Sequence, residues 1–227
     1  MLTVQEIEKF FIGSSGDYVF ARWGRPIAPV VFGTLDETLI IMKTAVEAVC
    51  LASGHTIQEL DPDIGSNLMF FFFRDWSELR GVPDLDQMIP NLEILLVRLE
   101  TAKANQYRTF RFDENGAIKA CFVFLRMDEA LNKLSAESLA LAQVVKAMLL
   151  WSDIAFKDGS PLVMLENGAT VMRPEITAIL KAAYDPTMPP KANDPSHSLR
   201  MAARVTLNCC HIYLILKSIS KTRTWVE

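Results

Sequence analysis

The chain has 227 residues, half of them hydrophobic, and a formal net charge of −4 at pH 7. This composition predicts a packed globular core rather than disorder. No Gly/Ser-rich or Pro-rich linker divides residues 1–227, so one α+β domain is expected. Because acidic and basic residues are interspersed, the chain offers no broad attraction for phosphate backbones, and nucleic acid is excluded as the expected partner.

The sequence shows no membrane-spanning or targeting pattern. No window reaches the roughly 18 consecutive apolar residues that a membrane span needs. The N-terminus MLTVQEIEKFF lacks the basic and apolar segments of a signal peptide. The four cysteines include no CxxC pair, which suits a reducing compartment. We therefore expect a cytoplasmic protein, although a trimmed sequence would hide a removed signal peptide.

The first part of the chain alternates helical and extended patterns. TVQEIEKFF predicts a helix capped by Thr3 and Glu6. DYVFARWGRPIAPVVFG predicts two extended pieces, and the prolines of the second piece indicate a sheet edge. LDETLIIMKTAVEAVCLASG predicts a helix with Asp36 as its N-cap and Gly54 as its stop. HTIQEL predicts a short strand, and the unbroken apolar run NLMFFFF predicts a strand buried on both faces.

A helix and a hairpin follow. Leucines at helical spacing predict a helix over about 90–104. YRTFRFDENGAIKACFVFLRM predicts a β-hairpin whose turn holds Asn115 and Gly116, a pair that tolerates positive φ at both positions. The predicted order before residue 128 is therefore helix, strand, helix, two strands, helix and hairpin.

Helices dominate the rest. Periodicity and caps predict helices over about 135–156, 174–185 and 197–221. KDGSPLVMLENG is interpreted as a loop that can hold a short strand, and PTMPPKANDP as a connector. The apolar stripe of the last helix must be covered by the core or by a second copy, so residues 195–221 are expected to form a docking helix. Early strands and late helices define an α+β fold class.

Motifs for catalysis are missing. The histidines His55, His197 and His211 lie in different segments, so no helical pair indicates a zinc site. No G-x-S-x-G elbow, P-loop or G-x-G-x-x-G turn occurs. The pair Asp61 and Asp63 is interpreted as a solvated turn, because a distal carboxylate for calcium is lacking. The sequence predicts no metal site, no cofactor and no recognisable catalytic residues.

Three stretches carry a resemblance to a known family. RWGRPIAPVVFG places Arg25 and Pro26 before a strand, AQVVKAMLLWSD occupies a central helix, and LKAAYDPTMPP closes the next helix. With these motifs the chain resembles an uncharacterised bacterial family of zincin-like proteins, degenerate relatives of metzincin metallopeptidases. The resemblance covers residues 22–190. It implies a zincin-like core, in which a small mixed sheet of about four to five strands packs with helices, and a mainly helical C-terminal part.

The resemblance also implies where a peptidase site would lie. A working zincin presents H-E-x-x-H on its central helix, and these positions fall on residues 142–146. Ala142 cannot bind zinc, Gln143 cannot take a proton at neutral pH, and the ammonium of Lys146 would repel a divalent cation. The resemblance therefore implies a degenerate site on a scaffold that is kept for binding.

Three functions follow from these observations. The first is a non-catalytic bacterial protein that binds another protein or assembles into a homo-oligomer. An alternative is a hydrolase of unrecognised type, with a cleft formed by Arg22, His55 and Asp153. The third is a small-ligand sensor built around the phenylalanine strand.

Overall fold

The computed structural model describes residues 2–207. Its α-helices are α1 (Val4–Glu8), α2 (Asp36–Ser53), α3 (Leu85–Met88), α4 (Leu92–Thr101), α5 (Glu129–Asn132), α6 (Ala136–Met148) and α7 (Pro174–Ala183). A 3₁₀ helix covers Trp76–Gly81, and residues 197–207 are helical. The strands are β1 (Phe20–Ala21), β2 (Pro29–Phe32), β3 (Leu68–Phe73), β4 (Gln106–Phe112), β5 (Ile118–Arg126), β6 (Leu162–Met164), β7 (Thr170–Met172) and β8 (Lys191–Ala192).

A four-stranded mixed sheet with the order β2-β3-β5-β4 forms the centre of the fold. The strands β2, β3 and β5 are parallel, and β4 is antiparallel to β5. The α+β class and the small mixed sheet are thereby confirmed. As predicted, the phenylalanine strand β3 is central and largely buried, and β2, which begins at Pro29, lies at an edge.

Each face of this sheet is covered by its own hydrophobic cluster. On one face, Phe70 and Val123 pack with residues of α2, α6 and α7. On the other face, Phe71 and Phe124 pack with the 3₁₀ helix and α4. Successive residues of a strand point to opposite faces, so the run of four phenylalanines supplies both clusters.

Most helix termini agree with the sequence. Thr3 and Glu6 form the predicted capping box of α1. Gly54 ends α2 in the left-handed region, at φ 76°. The N-cap of α2 is Leu35, however, and Asp36 is the first helical residue. The prediction of Asp36 as the cap was therefore wrong by one residue.

The central helix α6 is shorter than predicted. The hydroxyl of Ser135 caps it by accepting from the N–H of Ser138 at 3.2 Å. The helix ends at Met148 rather than near residue 156, because Leu149 adopts extended geometry (φ −133°, ψ 158°) and forms a β-bridge with Arg22. Pairing with the N-terminal segment thus replaces the last two predicted turns.

Short strands account for the other differences. HTIQEL contributes one isolated bridge, between Ile27 and Ile57, instead of a strand. KDGSPLVMLENG holds β6, the short strand that was allowed for there, and β6 pairs with β7. The connector PTMPPKANDP holds β8, which was not expected and pairs with β1. β1 lies in a segment that was predicted to be extended, whereas its partner β8 was not.

The β4–β5 hairpin is confirmed, but its turn differs from the expectation. Gly116 has a positive φ of 75°, whereas Asn115 does not. The carboxylate of Asp113 accepts from the N–H groups of Asn115 and Ala117, both at 2.9 Å. This side-chain cap closes the turn with one left-handed residue instead of two.

The helical stretch over 197–207 packs on the core through Met201 and Val205, which are 0% and 2% exposed. The rest of the predicted docking helix, including Cys209, Cys210 and His211, lies outside the described residues. Across residues 2–207, no helix combines the length and the apolar character needed to cross a bilayer.

Candidate functional site

The middle of α6 faces the edge strand β4. Gln106 and Arg108 are two residues apart on β4 and point to the same sheet face. Gln143 of α6 lies against them and is 1% exposed. Its Oε1 accepts from Nη2 of Arg108 at 2.6 Å, and its Nε2 donates to Oε1 of Gln106 at 2.7 Å. The polar group of Gln143 is therefore fully engaged with the strand.

A row of amides continues from this contact to a carboxylate. Nε2 of Gln106 donates to Oδ1 of Asn105 at 3.4 Å, and Nδ2 of Asn105 donates to Oδ2 of Asp128 at 3.0 Å. Turning any one amide would set two donors or two acceptors face to face. Each amide oxygen consequently accepts from the side of the row that begins at Arg108. The aligned dipoles compensate part of the charge of that guanidinium.

The cluster nevertheless has more positive charge than it can compensate. Among residues 2–207, Arg108 and Lys146 form no ion pair, and Nε of Arg108 is buried without a hydrogen-bond partner. Nζ of Lys146 lies 5.8 Å from the ring centre of Phe156. Burial lowers the pKa of Arg108 and of Lys146, and the charge of Arg108 lowers the pKa of Lys146 further. We call Gln106, Arg108, Gln143 and Lys146 the cationic cluster.

The degenerate positions therefore have different surroundings. Gln143 and Lys146 belong to the cationic cluster. Ala142 is half-buried and brings no polar side chain. Residues 142–146 thus carry one cation, Lys146, and one amide, Gln143, which accepts from the second cation, Arg108 of β4.

The three residues of the proposed hydrolase cleft do not come together. The guanidinium carbon of Arg22 lies 5.7 Å from the ring centre of Tyr184, and the His55 ring lies 4.6 Å from the same ring. Asp153 instead accepts from the N–H and the hydroxyl of Ser14, at 2.9 and 2.5 Å. The structure thus joins Arg22 and His55 through a tyrosine and places Asp153 at the N-terminal turn.

The side chains of Arg22 and His55 also form hydrogen bonds with backbone carbonyls. Nη2 of Arg22 donates to the carbonyl of Met188 at 3.0 Å, and Nε2 of His55 lies 3.0 Å from the carbonyl of Arg25. Burial lowers the pKa of His55 to about 4, so its imidazole is neutral at pH 7. Both side chains thereby tie separate backbone segments together.

Asp61 is a buried anchor rather than part of a solvated turn. It is 1% exposed, and its carboxylate accepts from Arg25 at 3.2 Å and from Nδ2 of Asn67 at 2.9 Å. Arg25 also donates to Asp63 at 2.9 Å. The solvated reading was wrong for Asp61, because Asn67 at the start of the central strand draws its carboxylate inward.

Two open grooves of about 700 and 680 Å³ lie elsewhere among the described residues. The first runs along α1 and is lined in part by Phe10 and Ile154, and the second lies beside the β4–β5 turn. Neither contains Arg22, His55, Asp153 or residues 142–146. In the described part of the chain, His, Cys, Asp and Glu side chains form no group of three or more that could hold a metal ion.

The sequence signals Arg108 only through the strand pattern YRTFRF. Arginines at positions 108 and 111 fall on opposite faces of β4, and Arg111 lies 5.8 Å from the ring centre of Phe122 on the face away from α6. A charged residue on each face of one strand indicates that at least one cation is covered.

Comparison of this chain with protein-family models, curated proteins and solved structures finds no match.

Proposed function

We propose that this chain is a non-catalytic protein-binding scaffold that pairs an extended, acidic segment of another protein with the free edge of β4. The observation that carries this proposal is the open edge itself. β4 is seven residues long and, in the described part of the chain, has a neighbouring strand, β5, on one side only. Strand addition at such an edge supplies main-chain hydrogen bonds to a bound peptide.

The outer side of β4 has free backbone groups. The backbone hydrogen bonds at Asn105 and Asp113 face β5, and backbone groups alternate along an antiparallel strand. Those of Gln106, Arg108 and Phe110 therefore point away from β5. Of these groups the carbonyl of Phe110 is not free, because it accepts from Nη1 of Arg111 at 3.1 Å. Within residues 2–207, no second strand pairs with them.

The opposite edge of the same sheet is less suited to strand addition. β2 has four residues and begins with Pro29, which has no N–H to donate. β4 contains no proline and is longer by three residues. The sheet therefore has one protected edge and one open edge.

Charge favours an acidic partner over a second copy. A two-fold pairing of two β4 strands would place the arginines of both copies along one shared edge, Arg108 on one face and Arg111 on the other, and like charges on neighbouring strands are destabilising. Charged residues on an edge strand discourage pairing with itself. A partner with carboxylates would instead meet the cations of β4 and Lys146.

The degenerate zincin-like scaffold is part of this proposal. Its support is that α6 packs on a mixed sheet and carries Gln143 and Lys146 where the resemblance assigns a base and a metal ligand. The hydrolase alternative has less support, because Asp153 contacts Ser14 rather than His55. The small-ligand sensor has no support either, because both faces of the phenylalanine strand β3 are largely buried.

Amide hydrogen exchange measured by NMR tests strand addition. The probe is the peptide Glu-Val-Glu-Val-Glu-Val-Glu, and the controls are its lysine counterpart and an acidic version N-methylated at alternate residues. We expect the acidic probe to slow exchange at the amides of Gln106, Arg108 and Phe110. Exchange at Tyr107 and Thr109, which already face β5, should not change.

Three outcomes would contradict the proposal. If no peptide protects the outer amides of β4, strand addition is wrong. If the lysine peptide protects them as well as the acidic peptide does, the partner is not selected by charge. Protection at Val31 of β2 to the same extent would show that the edges are not distinguished.

A further inference from the structure

We propose that the cationic cluster binds an oxyanion, the carboxylate or phosphate group of a ligand, between Arg108 and Lys146. This inference goes beyond strand addition at β4, because a free anion needs no neighbouring strand. It rests on the unpaired charges of the cluster and on the donors that remain available there.

The charge environment of Arg108 differs from that of another half-buried arginine. Arg25 meets the carboxylates of Asp61 and Asp63 at 3.2 and 2.9 Å. Within residues 2–207, the one hydrogen-bond acceptor of Arg108 is the amide oxygen of Gln143. A buried charge without a counter-charge is unfavourable, and a second cation nearby increases that cost. A bound anion would relieve both.

The available donors suit an oxyanion. One nitrogen of Arg108 is taken by Gln143, but Nε is buried and unpartnered. Lys146 carries three N–H donors, and its Nζ lies over the ring of Phe156. A planar guanidinium beside an ammonium is a donor set that recognises carboxylate and phosphate groups. Arg108 and Lys146 are both half-buried rather than fully enclosed, so the cluster reaches the protein surface.

NMR of the Arg108 Nε–H resonance tests the site directly. The protein is titrated at pH 7 and constant ionic strength with sodium phosphate, with sodium acetate and with sodium chloride. We expect a saturable shift of this resonance with one of the first two salts. Saturation by phosphate identifies a phosphate group, and saturation by acetate identifies a carboxylate. Equal responses to all three salts overturn the proposal.

Variants separate specific binding from general charge effects. Lys146→Met should weaken the apparent affinity at least about tenfold, since it removes one of the two cations. Gln143→Glu supplies a carboxylate from within the chain and should abolish the saturable shift. Lys133→Met is the matched control, because Lys133 is exposed and paired with Glu129 away from the cluster. If the control weakens binding as much as Lys146→Met does, the site is wrong.

Thermal melting gives a second readout. At a tenfold excess of the binding anion over its dissociation constant, the parent should melt about 3 °C higher than in chloride. Phosphate also stabilises proteins by exclusion from their surface, so only the difference between the parent and Lys146→Met counts. The anion titrations contain no peptide, so they are independent of the peptide experiment. Strand addition can fail while anion binding holds, and anion binding can fail while strand addition holds.

Discussion

Replacing Gln143 in two ways tests whether the cationic cluster lacks negative charge. Gln143→Leu removes the acceptor of Arg108 and the donor to Gln106, which lie at 2.6 and 2.7 Å. A hydrogen bond to a charged group contributes about 1.5–3 kcal/mol and a neutral one about 0.5–1.5 kcal/mol, so the free energy of unfolding should fall by about 2–4 kcal/mol. For a chain of this size, the melting temperature should fall by roughly 5–15 °C.

Gln143→Glu should act in the opposite direction. The new carboxylate keeps the acceptor at Arg108 and adds a counter-charge near Lys146. It loses the hydrogen bond to Gln106, because that amide can turn to donate to the carboxylate only by setting its oxygen against Oδ1 of Asn105. Coulomb attraction less the cost of desolvation gives a gain of about 1–2 kcal/mol near pH 7. Because the cations lower the folded pKa of this carboxylate, its gain is present above its unfolded pKa of about 4.3 and is lost as pH falls through the folded pKa.

The assay is thermal melting of the parent and both variants at pH 7.5 and pH 3.5, in buffers without phosphate. The order expected at pH 7.5 is Gln143→Glu above the parent and the parent above Gln143→Leu. If the carboxylate variant melts no higher than the leucine variant, the charges of Arg108 and Lys146 are already compensated. That result would refute the argument for an unpaired cluster.

Two further substitutions test other parts of the structure. Lys146→Met should raise the free energy of unfolding by about 1 kcal/mol in urea titrations, because it removes a desolvated charge and its repulsion from Arg108. If the same substitution gains as much in an Arg108→Gln background, the repulsion between Lys146 and Arg108 is not the cause. Gly33→Ala should cost about 3 kcal/mol, since φ is 76° and a β-carbon there would overlap the carbonyl of Phe72. Gly54→Ala is its control, with φ 76° but open space, and should cost only about 1–2 kcal/mol. Equal losses in melts of the two alanine variants would show that the Phe72 contact does not matter.

Local signals in the sequence predicted the parts of the fold that depend on nearby residues. The Thr3 cap, the Gly54 stop and the apolar run of β3 act within one or two turns or within one strand. The errors lie where distant backbone segments meet. Leu149 leaves the helix because it bridges Arg22, and β8 exists because it meets β1.

The difference between local signals and contacts of distant segments also explains which residues of the cationic cluster could be identified from the sequence. Gln143 and Lys146 were reached through the resemblance, which concerns one helix. Arg108 was not, because 35 residues separate it from Gln143 and no spacing rule joins a strand position to a helix position across that distance. Only packing of α6 on β4 turns an arginine of an amphipathic strand into a partly buried cation.

His197 gives a prediction on pH dependence that joins the two ends of the described chain. Its Nδ1 lies 2.8 Å from the hydroxyl of Tyr18, its Nε2 is buried without a partner, and it is 4% exposed. Burial lowers its pKa to about 4, whereas burial raises the pKa of Tyr18 to about 12 and keeps that phenol neutral. Acid should therefore weaken the contact between the N-terminal segment and residues 197–207.

The sign follows from proton binding. As pH falls, an unfolded histidine takes a proton near pH 6.5, whereas folded His197 does so only near pH 4. The contribution of neutral His197 to the free energy of unfolding is therefore fully present above pH 6.5 and is lost as pH falls through about 4. Between pH 7 and pH 4.5 this one group should lower the free energy of unfolding by about 2 kcal/mol. His197→Gln should lose that much less over the same interval in urea titrations. His55, whose pKa is also lowered to about 4, is the internal comparison, and His55→Gln should show a similar relief. An equally steep loss in the His197→Gln variant and the parent would mean that this imidazole is not kept neutral by burial.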